Sequence, residues 1–370
     1  MKQTTLANGK KVSVVGIGGH YKHFEYGRYE ETYGPVEQSE VDSRAKLLSK
    51  AYENGITYYD TTWYNEVEML ARSLEIAGIR SKIHVNGMVL GAFTGSKGFG
   101  MTDRDYFNKY LDKRLAIMPE NRFDSFMINA IDEQYDYDRC AGLVKLLSER
   151  KAAGDIGMLG FSCHNHPLAR EIADAFNEFE IIMTPYNFRN NWFARSFDGY
   201  KGNASFVAMK PMVWAQYGVP FSVINNLNNF EEIFGFKKDE KIAVKAFRYL
   251  IESPILNVTL SSVNNETELD MLIEAGTDHT GGCCLNENDL KALTDYDKAV
   301  SSHDSIPLFI GGMKTDNLRA EFFCADNLCN ILNIDKSTLT VRDENRRELI
   351  AEYKEKIYKE LKTKGYGKYL

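Results

Sequence analysis

The sequence has no apolar run approaching the roughly 20 residues that cross a bilayer, and its start, MKQTTLANGKKVSVVG, lacks the apolar core of a secretory signal. Neither membrane insertion nor secretion is expected, and the cytoplasm is the expected location. Basic blocks are also missing. Lys plus Arg number 45 against 52 Asp plus Glu, a net charge of -7, which opposes the phosphate-neutralising surface of a nucleic-acid binder. Cysteine is sparse, six in 370 residues, too few for a disulfide scaffold. CADNLC places four residues between Cys324 and Cys329 with no second pair, where zinc or an iron–sulfur cluster wants four ligands. Cys140, Cys163 and the adjacent Cys283 and Cys284 read as ordinary thiols, and no metal is expected. The glycine fingerprint of a dinucleotide-binding open sheet is absent as well, because GIGG at 16–19 lacks the spacing and the following helix.

What is present is 44% hydrophobic and 26% charged residues, the balance of a soluble globular chain. After a hairpin turned by Asn8-Gly9, strand-sized apolar runs fall at 12–19, 56–61, 82–88, 123–129, 156–163, 181–187, 205–212 and 257–263. They are continuous rather than alternating, as in parallel strands covered on both faces. Helical patterns lie between them at 41–54, 65–77, 104–117, 136–152, 166–178, 239–252 and 265–275, with a weaker one near 190–200. Eight strands with helical crossovers predict an α/β fold, a (β/α)8 TIM barrel. The barrel is expected over 1–280, with a helical extension packed on it over 281–370. An aromatic insertion at 20–38, holding Tyr21, Phe24, Tyr26, Tyr29 and Tyr33, reads either as a lid over a small ligand or as a loop folded on its neighbours.

In such a barrel the chemistry sits where strands end. Those ends collect Gly18, Gly19 and His20; Asp60 and Tyr64; Met88; Asn129; Ser162, Cys163 and His164; Tyr186 and Asn187; Lys210; and Ser262, Asn264 and Asn265. Each alone has a plain structural use, such as Asp60 capping the next helix. Together they have the polar character of a site for a small-molecule substrate.

Several stretches resemble the aldo-keto reductase family across residues 3–280. NGITYYDTTWYNEVEMLARSLE is similar to that family's second-strand signature, GDIGMLGFSCHN to its fifth strand and SFVAMKPM to its seventh. SSVNNETELDML, with Asn264, Asn265 and Glu268, resembles the loop and helix that hold the nucleotide. The Met-Lys-Pro and Ser-x-His motifs resemble the branch related to iron–sulfur-containing members, whose C-terminal cysteine cluster is not present. The resemblance implies hydride transfer from a nicotinamide to a carbonyl, with Tyr64 as acid/base and Asp60 as its supporting carboxylate. It also implies a lysine ending the third strand and a histidine ending the fourth. Met88 (or Gly87, if the register slips) and Asn129 stand there instead.

A phenol ordinarily loses its proton near pKa ~10, and a neighbouring ammonium would lower that value whereas a bare carboxylate raises it. Tyr64 is therefore expected to stay neutral, able to donate a proton but poor at taking one. Asn129 keeps a donor for the carbonyl oxygen. On the cofactor side the resemblance implies Gly18, Ser162, Tyr186, Asn187, Lys210, Ser262, Asn264, Asn265 and Glu268 as contacts. SSVNNETELDML carries no Arg or Lys for a 2′-phosphate, and Trp214 stands near the pyrophosphate position. NAD is thus expected over NADP, or else a weakened nucleotide site. Two other functions share the pattern: a lyase or isomerase using His20, His164 and Tyr64 to move a proton beside a carbonyl, and a non-catalytic binding barrel.

Overall fold

The computed structural model describes residues 1–19, 36–89, 103–129, 131, 136–190, 192–212, 230–231, 235, 237–277, 285–302, 305–314, 318–335 and 346–370. His20, most of the aromatic insertion, Trp214, Cys283 and Cys284 lie outside these residues.

Two short strands, β1 (Gln3–Thr5) and β2 (Lys11–Ser13), form an antiparallel hairpin. Eight more follow: β3 (Val15–Ile17), β4 (Tyr58–Asp60), β5 (His84–Val89), β6 (Phe123–Ile128), β7 (Ile156–Ser162), β8 (Ile181–Pro185), β9 (Ser205–Met209) and β10 (Val258–Ser261). Each pairs in parallel with the next, and β10 pairs with β3, so the sheet closes as a barrel. Every residue of β5, β6 and β8 is buried, as in parallel strands covered on both faces, although β5 and β6 carry His84, Asn86, Asp124 and Ser125 among their apolar side chains. The TIM barrel expected from the sequence is the observed fold.

The helices around it are α1 (Gln38–Glu53), α2 (Tyr64–Ala77), α3 (Asp103–Leu115), α4 (Tyr137–Ala152), α5 (His166–Ala175), α6 (Trp192–Ser196), α7 (Ile242–Ile251) and α8 (Glu266–Gly276). Their ends follow local chemistry. Asp136, Asn165 and Asn265 cap α4, α5 and α8 by accepting backbone N–H bonds from Arg139, Leu168 and Glu268. Helix α2 stops at Gly78, whose φ of 63° is open to glycine at little cost. The weak pattern near 190–200 resolves into the single-turn α6.

The barrel interior packs Tyr58, Met88, Met127, Met158, Ile181, Met183, Val207, Val258 and Leu260, joined by Leu6 and Val12 from the hairpin. That hairpin closes the end where strands begin. The Lys10 ammonium donates to the Ile83 carbonyl and to Asp124 at 2.8 Å each, and the Ala7 N–H donates to Ser205 Oγ at 2.7 Å.

By contacts the chain divides into two compact units. One comprises Met1–Tyr21, Gly34–Pro211 and Val244–Asn286; the other comprises Lys22–Tyr33, Met212–Ala243 and Glu287–Leu370. Within the second, α9 (Glu287–Ser302), α10 (Ser305–Gly312), α11 (Leu318–Leu332) and α12 (Arg346–Thr363) are helical. They bury Tyr296, Phe309, Cys324, Tyr353 and Ile357. Phe230 stacks on Tyr296 with ring centroids 5.8 Å apart, and Lys354 pairs with Glu321 at 2.6 Å. Among the described residues no helix is long and apolar enough to cross a membrane.

Candidate active site

Register decides which side chains meet at the top of the barrel. Asp60 on β4 lies opposite Asn86 on β5, and Asn86 lies opposite Ser125 on β6. Residues level with one another on parallel strands point the same way, here inward. The Asn86 amide nitrogen donates to Asp60 Oδ1 at 2.6 Å, and the Ser125 hydroxyl donates to Asn86 Oδ1 at 2.7 Å. His84 Nε2 lies 2.8 Å from Ser125 Oγ. Because the serine proton is spent on Asn86, the imidazole is the donor there. Burial pushes the His84 pKa down to about 3, with the Asp124 charge opposing, so the ring is neutral and carries its proton on Nε2. Tyr58 stacks on it, with centroids 4.8 Å apart.

Asp60 is only 7% exposed, and among the described residues no cation pairs with it. Burial raises its pKa to about 8; the Asn86 bond pulls down and the Glu66 carboxylate pushes up. At neutral pH it is a carboxylic acid. Met88 sits in the apolar interior, where the sequence resemblance would place an ammonium.

Tyr64 is the first residue of α2. The Lys113 ammonium of α3 lies over its ring, 4.3 Å from the centroid, the geometry of a cation–π contact. Burial raises the phenol's pKa, and Glu68 adds to the rise. A lysine is therefore beside Tyr64, but over its face, and the phenol stays protonated.

Asn129 follows β6, and Ser162 ends β7. The Ser162 hydroxyl donates to Asn129 Oδ1 at 2.6 Å, which leaves the Asn129 amide nitrogen as the outward donor. Gly18 donates its N–H to the Ser261 carbonyl at 2.7 Å. Beside it Gly19 has no room for a side chain, since a Cβ would fall 2.7 Å from Glu66 Oε2 and 2.8 Å from the Asp60 carbonyl oxygen. That carboxylate accepts the Thr62 and Trp63 N–H groups and starts α2. The buried Arg44 donates to the Val263 carbonyl at 2.5 Å and the Gly18 carbonyl at 3.4 Å, tying the ends of β3 and β10 together.

Lys210, just past β9, is exposed and has a left-handed backbone with φ 55°, an uncommon conformation for a residue with a side chain and one found at functional sites. The Asn187 amide nitrogen donates to its carbonyl at 3.2 Å, while Asn187 Oδ1 accepts the N–H groups of Arg189 and Asn190. Ser262 is exposed beyond β10. Glu268 accepts the Asn264 N–H at 2.7 Å and its side-chain amide at 3.2 Å. Asn264 and Asn265 are thus engaged in starting α8.

Not every expected residue gathers at this end. Tyr186 cannot offer an open aromatic face: it is 4% exposed, its ring leans on Phe193 with centroids 5.6 Å apart, and its hydroxyl meets Ser253 and Tyr249. Ile181 and Met183 point into the barrel, so alternation along the chain turns Tyr186 out into the helical layer. His164 is exposed ahead of α5. The buried His166 is 2.7 Å from the Pro185 carbonyl, away from the barrel interior. Among the described residues no three His, Cys, Asp or Glu side chains gather to hold a metal. Sequence reasoning missed Asn86, Ser125, His84, Arg44 and Lys113. His84 and Asn86 had a signal: HVNGMV places polar groups at its first and third positions in an otherwise apolar strand.

Compared with protein-family models and with curated proteins, the sequence matches none. Solved structures do match. An aldo-keto reductase from Bacillus halodurans in its holo form superposes with a TM-score of 0.55 at 15% identity, over 81% of this chain and 96% of that one. An aldo/keto reductase from Klebsiella pneumoniae, in complex with NADP and acetate, gives a TM-score of 0.56 at 12% identity, over 82% of this chain and 98% of that one. The chain has the aldo-keto reductase fold. On this aldo-keto reductase barrel, Asp60, Met88 and Asn129 stand at the ends of three successive strands.

Proposed function

We propose that the protein is a nicotinamide-dependent reductase of a small carbonyl or sugar substrate, acting in the cytoplasm with an altered set of catalytic side chains. The observation that carries this reading is the buried Asp60 at the barrel mouth, whose Oδ1 accepts from the Asn86 amide at 2.6 Å where a lysine pair is expected. The rim suits a nicotinamide nucleotide. Ser162 can accept from a carboxamide, and the exposed Lys210 can meet a pyrophosphate. When bound, a reduced nicotinamide supplies the hydride to the carbonyl carbon. The protein's share is to orient that carbonyl through the Asn129 amide nitrogen and to hold a proton for its oxygen. Both acids at hand, Asp60 and Tyr64, are protonated at neutral pH, so reduction is favoured over the reverse oxidation, which needs a base.

Glu268 supports a preference for NAD over NADP. Its carboxylate already occupies the start of α8, where it would repel a 2′-phosphate and accept from a ribose hydroxyl. The proton-abstracting alternative has less support, because His164 is exposed and Asp60 is no base at neutral pH. Calorimetric titration of the purified protein with NADH and NADPH tests the reading. Micromolar binding is expected, tighter for NADH, with the preference narrowing in Glu268→Gln. Failure to bind either nucleotide rejects it.

A further inference from the structure

We propose that Asp60, rather than Tyr64, gives the proton to the substrate oxygen, and that Asn86, Ser125 and His84 are its positioning residues. This rests on the carbonyl-reductase reading above and names the acid within it.

His84 donates to Ser125, Ser125 to Asn86 and Asn86 to Asp60 Oδ1, over 2.8, 2.7 and 2.6 Å. An amide can be built either way round, but here Ser125 holds the Asn86 oxygen and so aims its nitrogen at the acid. Oδ1 is thereby occupied as an acceptor, and Oδ2 is the oxygen left to carry the proton. His84, Asn86 and Ser125 are fully buried, whereas Asp60 ends its strand at the catalytic end and keeps a small exposed surface. The chain is anchored below and open above.

Tyr64 has no such chain beneath it. Its ring is held by Lys113 over one face, and burial with the Glu68 carboxylate raises the phenol's pKa.

The charged groups around Asp60 also favour its neutral form. Glu66 of α2 acts on it through charge and raises its pKa. Tyr58 and His84, on β4 and β5, are neutral. Asp124 of β6 is bound to Lys10 and Arg80 beyond the chain's far end. On α3 the Arg114 guanidinium reaches the Thr62 carbonyl at 3.5 Å, and Lys113 covers Tyr64.

In the step itself the carboxylic O–H bond of Asp60 breaks and an O–H bond forms on the substrate oxygen as the carbonyl carbon is reduced. Asp60 is left as a carboxylate, which takes a proton from solvent before the next turnover. The electrons come from the reduced nicotinamide named above, and Asp60 moves a proton only.

The test needs neither cofactor nor substrate at first. The full-length protein, labelled with carbon-13 at aspartate carboxyls, is titrated by NMR. One signal is expected to titrate near pH 8, about four units above an ordinary aspartate, and to vanish in Asp60→Asn. Ser125→Ala and His84→Ala should move that midpoint upward, because a loosened Asn86 stabilises the carboxylate less well. His84→Gln keeps a donor and should leave it in place. With a carbonyl substrate in hand, kcat should fall above the same midpoint, and that alkaline limb should persist in Tyr64→Phe and disappear in Asp60→Asn. If every aspartate ionises below about pH 6, or if the limb follows Tyr64 instead, the proposal is overturned. Failure of nucleotide binding appears only in the calorimetry and overturns the reductase reading separately.

Discussion

Two buried aspartates of the barrel are driven in opposite directions. Burial raises Asp60 to about 8. It also pushes Asp124 up, but His84, Lys10, Arg80 and the Val85 amide outweigh it and hold Asp124 at about 2. The signs follow from proton linkage. Between the unfolded value of ~4 and 8 the folded protein holds a proton on Asp60 that the unfolded chain has lost, so this residue's stabilisation fades as pH rises. Asp124 contributes above ~4 and loses its contribution as pH falls toward 2. Urea unfolding between about pH 5 and pH 7 should show Asp60→Asn losing stability less steeply than wild type, by roughly 1 kcal/mol per pH unit. Asp124→Asn should cost about 3–5 kcal/mol at neutral pH by leaving the buried Arg80 without its carboxylate. Of the site residues, Asp60 and Asn129 were legible because each ends an apolar run. The chain beneath them was not read, since it depends on which residues of three strands lie level. Tyr186 was misassigned for a related reason: a strand's last residues alternate in and out, and periodicity in a fully apolar run does not mark which is which.

At the level of elements, the hairpin and the helix starts carry the local order. Lys10 fastens the hairpin to both Asp124 and the Ile83 carbonyl. Replacing it by Met should leave the barrel folded while amide exchange at Thr5, Lys11 and Ser13 quickens on the order of tenfold, the hairpin opening on its own. Hydrogen exchange resolved by residue would show this, and uniform quickening across β5 and β6 would contradict it. The strands were legible element by element because parallel strands buried on both faces leave largely apolar runs. The five-residue α6 was faint, because a single helical turn is too short to show a period. Strand lengths were overstated for a similar reason: ITYYDT is apolar over most of its length, but only Tyr58–Asp60 pairs as strand.

For the whole molecule, division into two compact units implies two cooperative cores. A calorimetric scan should resolve two transitions. Leu147→Ala, in the buried face of α4, should lower the barrel transition, and Ile357→Ala, fully buried in α12, the other. Each should cost about 2–5 kcal/mol. A single transition shifted equally by both would show one cooperative unit instead.

The barrel's interior has a last consequence, and it lies in the sulfur of its side chains. Met88, Met127, Met158 and Met183 share one core inside a closed cylinder, and thioethers there are beyond the reach of dissolved peroxide while the strands stay paired. Their conversion to sulfoxide would put a polar group into that core. In an oxidising environment these four residues therefore act as a clock on the barrel. Each oxidation records an opening of the cylinder, and each makes the next opening easier, so that damage once begun feeds itself.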